Sequence, residues 1–236
     1  MKALTALLIY PVVFFLIKDP AALRYARVHG FSPMPQSVQL PLEENGRLLY
    51  FVKFLVVALF LIAWANVHGV NLWAFLGHVE PGQHVGRIAL ASTVILFSGH
   101  ISVLYLFKRV RGLFFDQGLS RGHFLTWITI IFVGGVVEES WRALTLSASS
   151  EKGFNSLLVL LATSAAAAFC HLLGIPGRTL GLREEVFWDL AVGLALGALF
   201  VLYGTVLIPL SVNMLYNVFN LLLIRSNIPR EKSRPG

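Results

Sequence analysis

Two adjacent carboxylates and an arginine stand inside an otherwise apolar stretch of this chain. Glu138, Glu139 and Arg142 lie within residues 124–146, a run long enough to cross a bilayer. An ionisable group at membrane depth costs about 3 kcal/mol on insertion scales, so such groups need partners and often mark a functional site. On a helix, Arg142 follows the two glutamates by four and three residues and can neutralise one of them. The other carboxylate must find a partner on another helix or be protonated, and such a carboxylate is a natural general base.

Further polar side chains lie in the apolar segments that follow this cluster. His171 stands near the end of the apolar run 157–173. Asn213 and Asn217 are four residues apart and share one face of the last apolar segment, a face that Asn220 extends. A carboxylate, an imidazole and two carboxamides are sufficient to activate a water and to hydrogen-bond an oxyanion, which are the requirements of amide hydrolysis.

Other polar residues within apolar segments have simpler interpretations. His100, alone on its segment, is expected to be a hydrogen-bonded packing residue. Asp189 can pair with Arg183 or cap the start of its helix. Lys53 lies about one and a half turns into its segment and can snorkel to the membrane surface. The Glu-Glu-Arg cluster itself has a structural alternative, in which the ion pairs only hold helices together.

The composition identifies the class of protein. Of 236 residues, 56% are hydrophobic and 13% charged, with a mean hydropathy of +0.73, which predicts an integral membrane protein. The net charge of +7 resides in short loops rather than on one face, so no nucleic-acid partner is expected. Cys170 is the only cysteine and excludes an intramolecular disulfide. Its neighbour His171 points about 100° away on a helix, which disfavours a Cys-His nucleophile pair.

The hydrophobic pattern predicts an all-α fold, a polytopic membrane helix bundle of about seven transmembrane helices. The first segment could be a signal peptide, but Lys18, Asp19 and Pro20 close it without a small-residue cleavage site, which favours a retained helix. The loop 18–47 is expected to contain an interfacial piece at 21–28. The predicted segments are 3–17, 48–67, 88–107, 123–147, 154–173, 187–204 and 205–225.

The basic residues predict how the bundle is oriented. Fourteen of the 19 Lys and Arg residues fall in or beside alternate loops and the tail, three fall on the opposite side, and two lie within segments. By the positive-inside rule the amino terminus is outside and the carboxyl terminus is cytoplasmic, in the cell (inner) membrane. Residues 1–122 are then amino-terminal transmembrane helices and cytoplasmic loops, 123–225 a catalytic helical core, and 226–236 a basic cytoplasmic tail.

The predicted segment ends leave one geometric difficulty. Measured from the loop 148–153, Glu138 lies about 15 Å deep and His171 about 27 Å deep, at about 1.5 Å per residue. On straight, equally tilted helices these two side chains would not meet. A bend at Gly134 and Gly135, or a later start of the second helix, would bring them together.

The order of these motifs resembles a known family. EESWR is followed by His171 at the end of the next helix, then by a Gly-rich helix and an Asn-x-x-x-Asn helix. This arrangement resembles the CAAX protease and bacteriocin-processing family of glutamate intramembrane proteases, whose members carry EExxxR, FxxxH and HxxxN. The resemblance covers residues 124–224.

The chain departs from the family pattern at each motif. Two residues instead of three separate the glutamate pair from Arg142, and we align on the pair because Val137 cannot serve as a base. The aromatic residue expected four positions before His171 is Ala167. The family's histidine in the third motif is Asn213, which can donate a hydrogen bond but cannot carry a proton.

The resemblance implies a mechanism and a set of partners. A water held between Glu138 and His171 would attack the peptide bond, while Asn213 and Asn217 stabilise the oxyanion. The implied activity is that of a glutamate-type intramembrane endopeptidase that acts, within the lipid bilayer, on a membrane-associated or lipidated polypeptide.

The resemblance also assigns Glu139 and Arg142 to orienting Glu138. No metal or other cofactor is implied, because one glutamate, one histidine and amides make a poor zinc site, although His100 or Glu139 could complete one. Two other functions stay open. The buried ions could couple transport in a small transporter, and the Asn213 replacement suits a non-catalytic membrane scaffold.

Overall fold

The described part of the chain consists of helices and short connections. The computed structural model describes residues 2–17, 36–79, 84–106, 124–174 and 182–226. Within these ranges the secondary structure consists of eight helices and no strand, which confirms the all-α prediction. The helices are α1 (Lys2–Leu16), α2 (Gln36–Val67), α3 (Leu72–Gly77), α4 (Val85–Leu106), α5 (Phe124–Ser150), α6 (Ser156–Gly174), α7 (Leu182–Tyr203) and α8 (Leu207–Ser226).

Each predicted segment corresponds to a helix, but α2 is much longer than expected. It begins at Gln36, within the region 18–47 that was predicted to be a loop, and only its part Phe51–Val67 is a continuous apolar helix. Hydropathy marks the apolar length of a helix, whereas helix formation requires only good helix formers such as Leu, Glu and Gln. The prediction of a loop up to residue 47 is therefore wrong, and the expected interfacial piece at 21–28 lies outside the described residues.

Length and apolarity single out one helix as a clear membrane span. Among the described residues only Val85–Ser102, in α4, is long and apolar enough, while parts of α1, α2, α6 and α7 are apolar over shorter lengths. Large apolar side chains are nevertheless exposed on many helices, for example Leu59 and Leu202. Such a surface is typical of helices that face lipid. The number of seven crossings stays a prediction.

Helix α5 lies at the centre of the bundle and contacts α1, α2, α6, α7 and α8. Trp141, which is fully buried, stacks on Tyr10 of α1 with 4.8 Å between ring centroids. Its indole Nε1 donates a hydrogen bond of 2.9 Å to the carbonyl oxygen of Ala6. A buried indole needs such a partner, so the turn that carries the two glutamates is fixed against α1.

Glycines allow the neighbouring helices to approach α5 closely. A Cβ at Gly134 would lie 2.7 Å from the ring of Phe54 on α2. A Cβ at Gly197 of α7 would lie 2.1 Å from a methyl group of Leu160 and 3.3 Å from Cδ of Arg142. Distances below about 3 Å do not occur between real side-chain carbons, so a larger residue at position 197 would force the side chain of Leu160 to move.

The division between α7 and α8 follows from local backbone geometry. Gly204 directly follows α7 and has a φ of 67°, the left-handed conformation that ends many helices and that glycine adopts without strain. Thr205 then accepts a hydrogen bond from the amide of Leu207 through Oγ1, and its hydroxyl donates to the carbonyl of His78 at 2.5 Å. The long hydrophobic stretch is therefore split into two helices at Gly204, as predicted.

Candidate active site

The glutamate pair and Arg142 form one ion-paired cluster on α5. Arg142 Nη2 donates to Glu138 Oε1 at 2.7 Å, and Nη1 donates to Glu139 Oε2. Arg142 and Glu139 are each about 1% exposed. The i,i+3 and i,i+4 spacings predicted that the arginine neutralises one carboxylate, but the planar guanidinium reaches both. One cation is thus shared between two anions.

Helix α8 supplies the interhelical partner that the second carboxylate requires. Asn213 Nδ2 donates a hydrogen bond of 2.7 Å to Glu139 Oε1. Asn217 Nδ2 in turn donates to Asn213 Oδ1 at 2.6 Å and to its carbonyl oxygen at 2.9 Å. The two asparagines share one face because they are four residues apart. Five of the six predicted site residues are therefore connected in one network, with Glu138 joined to it through Arg142.

The two carboxylates have different environments. Glu139 accepts hydrogen bonds from both Arg142 and Asn213 and is almost fully enclosed, whereas Glu138 keeps 8% of its surface exposed. A carboxylate held by an arginine and an amide has few lone pairs left for a water. Glu138 is therefore the better placed of the two to accept a proton.

The observed helix ends reduce the difference in depth between α5 and α6. Glu138 lies twelve residues before Ser150 and position 171 lies fifteen after Ser156, or about 18 Å and about 22 Å. The helix α6 starts later than predicted and α5 ends later, so the difference shrinks from about 12 Å to about 4 Å. The side chain of His171 lies outside the described residues, and its approach to Glu138 stays a prediction.

Cys170, next to His171, is fully buried and packs in the same cluster as Val137 and Trp141 of α5. This face of α6 therefore lies against the part of α5 that carries the glutamates. No three His, Cys, Asp or Glu side chains of the described ranges lie together as a metal site requires.

Lys53 does not snorkel to the surface, and that prediction is wrong. The side chain is 1% exposed, and Nζ lies 5.2 Å from the ring centroid of Phe14 on α1. The reason is the rotation of α2, which turns Lys53 towards α1 and into the bundle although the apolar part of the helix begins only at Phe51. The sequence shows a charged residue near the end of an apolar segment, but it does not show which way the helix faces.

A second buried polar cluster joins α4, α7 and α8. His100 stacks on Trp188 with 4.8 Å between ring centroids, and its Nδ1 is hydrogen-bonded to the hydroxyl of Tyr216 at 2.5 Å. Trp188 Nε1 donates to the same hydroxyl at 2.6 Å. His100 is thus a hydrogen-bonded packing residue, as predicted. The sequence analysis did not predict that Trp188 and Tyr216 belong to this cluster. The available signal was that Trp and Tyr need polar partners when they are buried. The expected pairing of Asp189 with Arg183 involves a side chain outside the described residues.

Comparison with known proteins identifies the carboxyl-terminal half of the molecule. Residues 120–219, from the start of α5 into α8, match the model of the family described as type II CAAX prenyl endopeptidase Rce1-like. No curated protein and no solved structure was found to match the chain. The matched region contains every residue of the ion-paired network on α5 and α8. Over this region the chain is therefore similar to the Rce1-like family of type II CAAX prenyl endopeptidases.

Proposed function

We propose that the protein is an intramembrane endopeptidase that hydrolyses a peptide bond of a membrane-associated or lipidated polypeptide. The observation that carries this proposal is the buried network of Glu138, Glu139, Arg142, Asn213 and Asn217, which lies within the family match. Buried carboxylates on a central helix are costly and are retained mainly where they do chemistry. The similarity to the family suggests the class of reaction, and the network supplies the carboxylate and carboxamide groups that the reaction needs.

Glu138 acts as the general base in this proposal. It takes a proton from a water held between its carboxylate and His171, and the water oxygen forms a bond to the carbonyl carbon of the scissile peptide. The carbonyl oxygen becomes an oxyanion. When the tetrahedral intermediate collapses, the C–N bond breaks and the proton on Glu138 passes to the departing amine.

Asn213 and Asn217 serve as donors to the oxyanion. Each carboxamide nitrogen carries two hydrogens, and Asn213 Nδ2 uses one of them on Glu139. The second hydrogen is available to a substrate oxygen that enters the site. Donors that are fixed before the reaction stabilise the developing charge without reorganisation, and Glu139 fixes Asn213 in this way.

Glu139 and Arg142 position these groups without touching the substrate. Arg142 holds Glu138 at 2.7 Å and so restricts its rotamer, and Glu139 holds Asn213. The pair thereby links the base on α5 to the oxyanion donors on α8. In this division of roles the more exposed carboxylate, Glu138, is the base, and the enclosed carboxylate, Glu139, belongs to the structural ion pair.

A non-catalytic scaffold is the second candidate. One observation favours it: Asn213 replaces the histidine of the family motif and is bonded to Glu139, which closes the network on itself. An asparagine cannot transfer protons, so an enzyme must place all proton transfer on Glu138 and His171. A small transporter is a further alternative, since buried ions also suit ion coupling.

The test compares Glu138→Gln with the parent protein after purification into lipid nanodiscs. Substrates are a peptide with a prenylated cysteine near its carboxyl terminus and an unmodified membrane-associated leader peptide. Glutamine keeps size and hydrogen bonding but cannot accept the proton, so we expect cleavage to fall by at least about 10³-fold while the protein still folds and inserts into the membrane. Glu151→Gln, at an exposed position, is the matched control. Equal cleavage rates in all three proteins would remove Glu138 from the mechanism.

A further inference from the structure

In the part of the chain that the structure describes, the buried formal charges come in equal numbers of each sign. Among the described Asp, Glu, Lys and Arg residues, four are buried: Glu138, Glu139, Arg142 and Lys53. Arg142 is shared by both glutamates, which leaves an excess negative charge on α5 when both are ionised. An uncompensated charge in the low-dielectric interior is strongly unfavourable, so this excess calls for a second cation.

Several contacts bring Lys53 to the same part of the bundle. The adjacent residue, Phe54, lies against Gly134, which is one helical turn before Glu138 on α5. The ring of Phe14 beneath the Lys53 ammonium stacks on Tyr10, and Tyr10 stacks on Trp141, three residues after Glu138. Helices α1, α2 and α5 therefore place the lysine in the same region as the glutamates.

The interior location of Lys53 also fixes its ammonium group. Phe14 of α1 lies beneath it, so the ring face contributes a cation–π interaction. Both α1 and α2 pack against α5, and the side chain has essentially no access to solvent. An ammonium held in this way acts as a fixed positive charge on its surroundings.

We infer that Lys53 is a positioning residue of the candidate active site, the second cation that keeps the Glu138 carboxylate ionised and available as a base. It lies on α2, outside the region 120–219 that matches the family, so this chain supplies part of its active-site electrostatics from its amino-terminal half. The charge compensation is independent of the proposed function, whereas its effect on cleavage rests on that function.

A double-mutant cycle tests the charge compensation without an activity assay. Lys53→Met, Glu138→Gln and the double variant are purified into nanodiscs, and their unfolding temperatures are measured. We expect Lys53→Met to lower the unfolding temperature by about 10 °C, and Glu138→Gln to restore about half of that loss or more. Combining Lys53→Met with Glu151→Gln is the control and should restore nothing.

The cycle gives a decision in every case. Additive effects of the two substitutions would overturn the inference, as would coupling of Lys53 to Glu151. If Lys53→Met does not fold, recovery of folding in the double variant supports the inference, and failure of both variants overturns it. Lys53→Arg retains the charge and should unfold close to the parent temperature.

Kinetics test the positioning role separately. Lys53→Met should lower kcat by about 10-fold to 10²-fold with little change in KM, and Lys53→Arg should retain most of the activity. Parent-like kcat in Lys53→Met would overturn the positioning role even if the cycle shows coupling. If the parent itself cleaves neither peptide, the proposed function fails, and the cycle still decides whether Lys53 compensates the glutamate.

Discussion

Two buried polar clusters lie on adjacent faces of α8 and are built in different ways. The ionic cluster consists of Glu138, Glu139, Arg142, Asn213 and Asn217 and joins α5 to α8. The aromatic cluster consists of His100, Trp188 and Tyr216 and joins α4, α7 and α8. Tyr216 directly precedes Asn217, and neighbouring residues on a helix point about 100° apart. One turn of α8 thus contributes to both clusters.

The two clusters differ in how their members tolerate burial. In the ionic cluster two anions share one cation, so removing the arginine leaves two buried carboxylates without it. The aromatic cluster has stacked rings joined by hydrogen bonds through one hydroxyl, and its members remain apolar bodies if a bond is lost. We therefore expect large losses from the ionic cluster and modest ones from the aromatic cluster.

Arg142→Leu should have the largest effect on stability. The substitution leaves two buried carboxylates without their shared cation and should lower the free energy of unfolding by about 3–5 kcal/mol. Denaturant or thermal unfolding in nanodiscs measures it, with the exposed Arg87→Leu as the matched control. An Arg142→Leu protein as stable as the control would mean that the ion pairs do not support the bundle.

Asn213→Ala should reduce the catalytic rate more than it reduces the stability of the protein, although Asn213 belongs to the same cluster. Loss of this oxyanion donor should lower kcat by about 10²-fold to 10³-fold with little effect on KM. Asn213→His restores the family residue and should be tolerated, because its ring nitrogen can also donate. The exposed Asn66→Ala serves as the control. Unchanged biological output in both Asn213 variants and in Glu138→Gln would favour the scaffold over the enzyme.

Tyr216→Phe should have the smallest effect and so mark the aromatic cluster as structural. The ring stays in place, but the nitrogens of His100 and Trp188 lose their partner, at a cost of about 1–3 kcal/mol in the free energy of unfolding. Cleavage kinetics should change only a few-fold. A stable Tyr216→Phe protein with no activity would show instead that the aromatic cluster takes part in the reaction. Leu202→Ala, at an exposed position of α7, is the control for general effects of altering the helix pair α7 and α8.

The sequence predicts the contacts of the ionic cluster on α5 but not those of the aromatic cluster, because only the first are local in the chain. Glu138, Glu139 and Arg142 are within one helical turn of each other, so spacing alone predicted their contact. Each member of the aromatic cluster comes from a different helix, and no local spacing links His100 to Trp188 or Tyr216. The sequence could predict only that a buried histidine would find a hydrogen-bond partner.

The sequence by itself determined the helical architecture, the intrahelical ion pairs and the resemblance to a protease family, because these depend on hydrophobic runs and on the fixed geometry of the α-helix. The tertiary structure decided that Asn213 binds Glu139 and that Lys53 is buried. Those outcomes depend on the rotation, depth and true length of each helix. Packing sets these quantities, since the same local pattern is compatible with many arrangements of neighbouring helices.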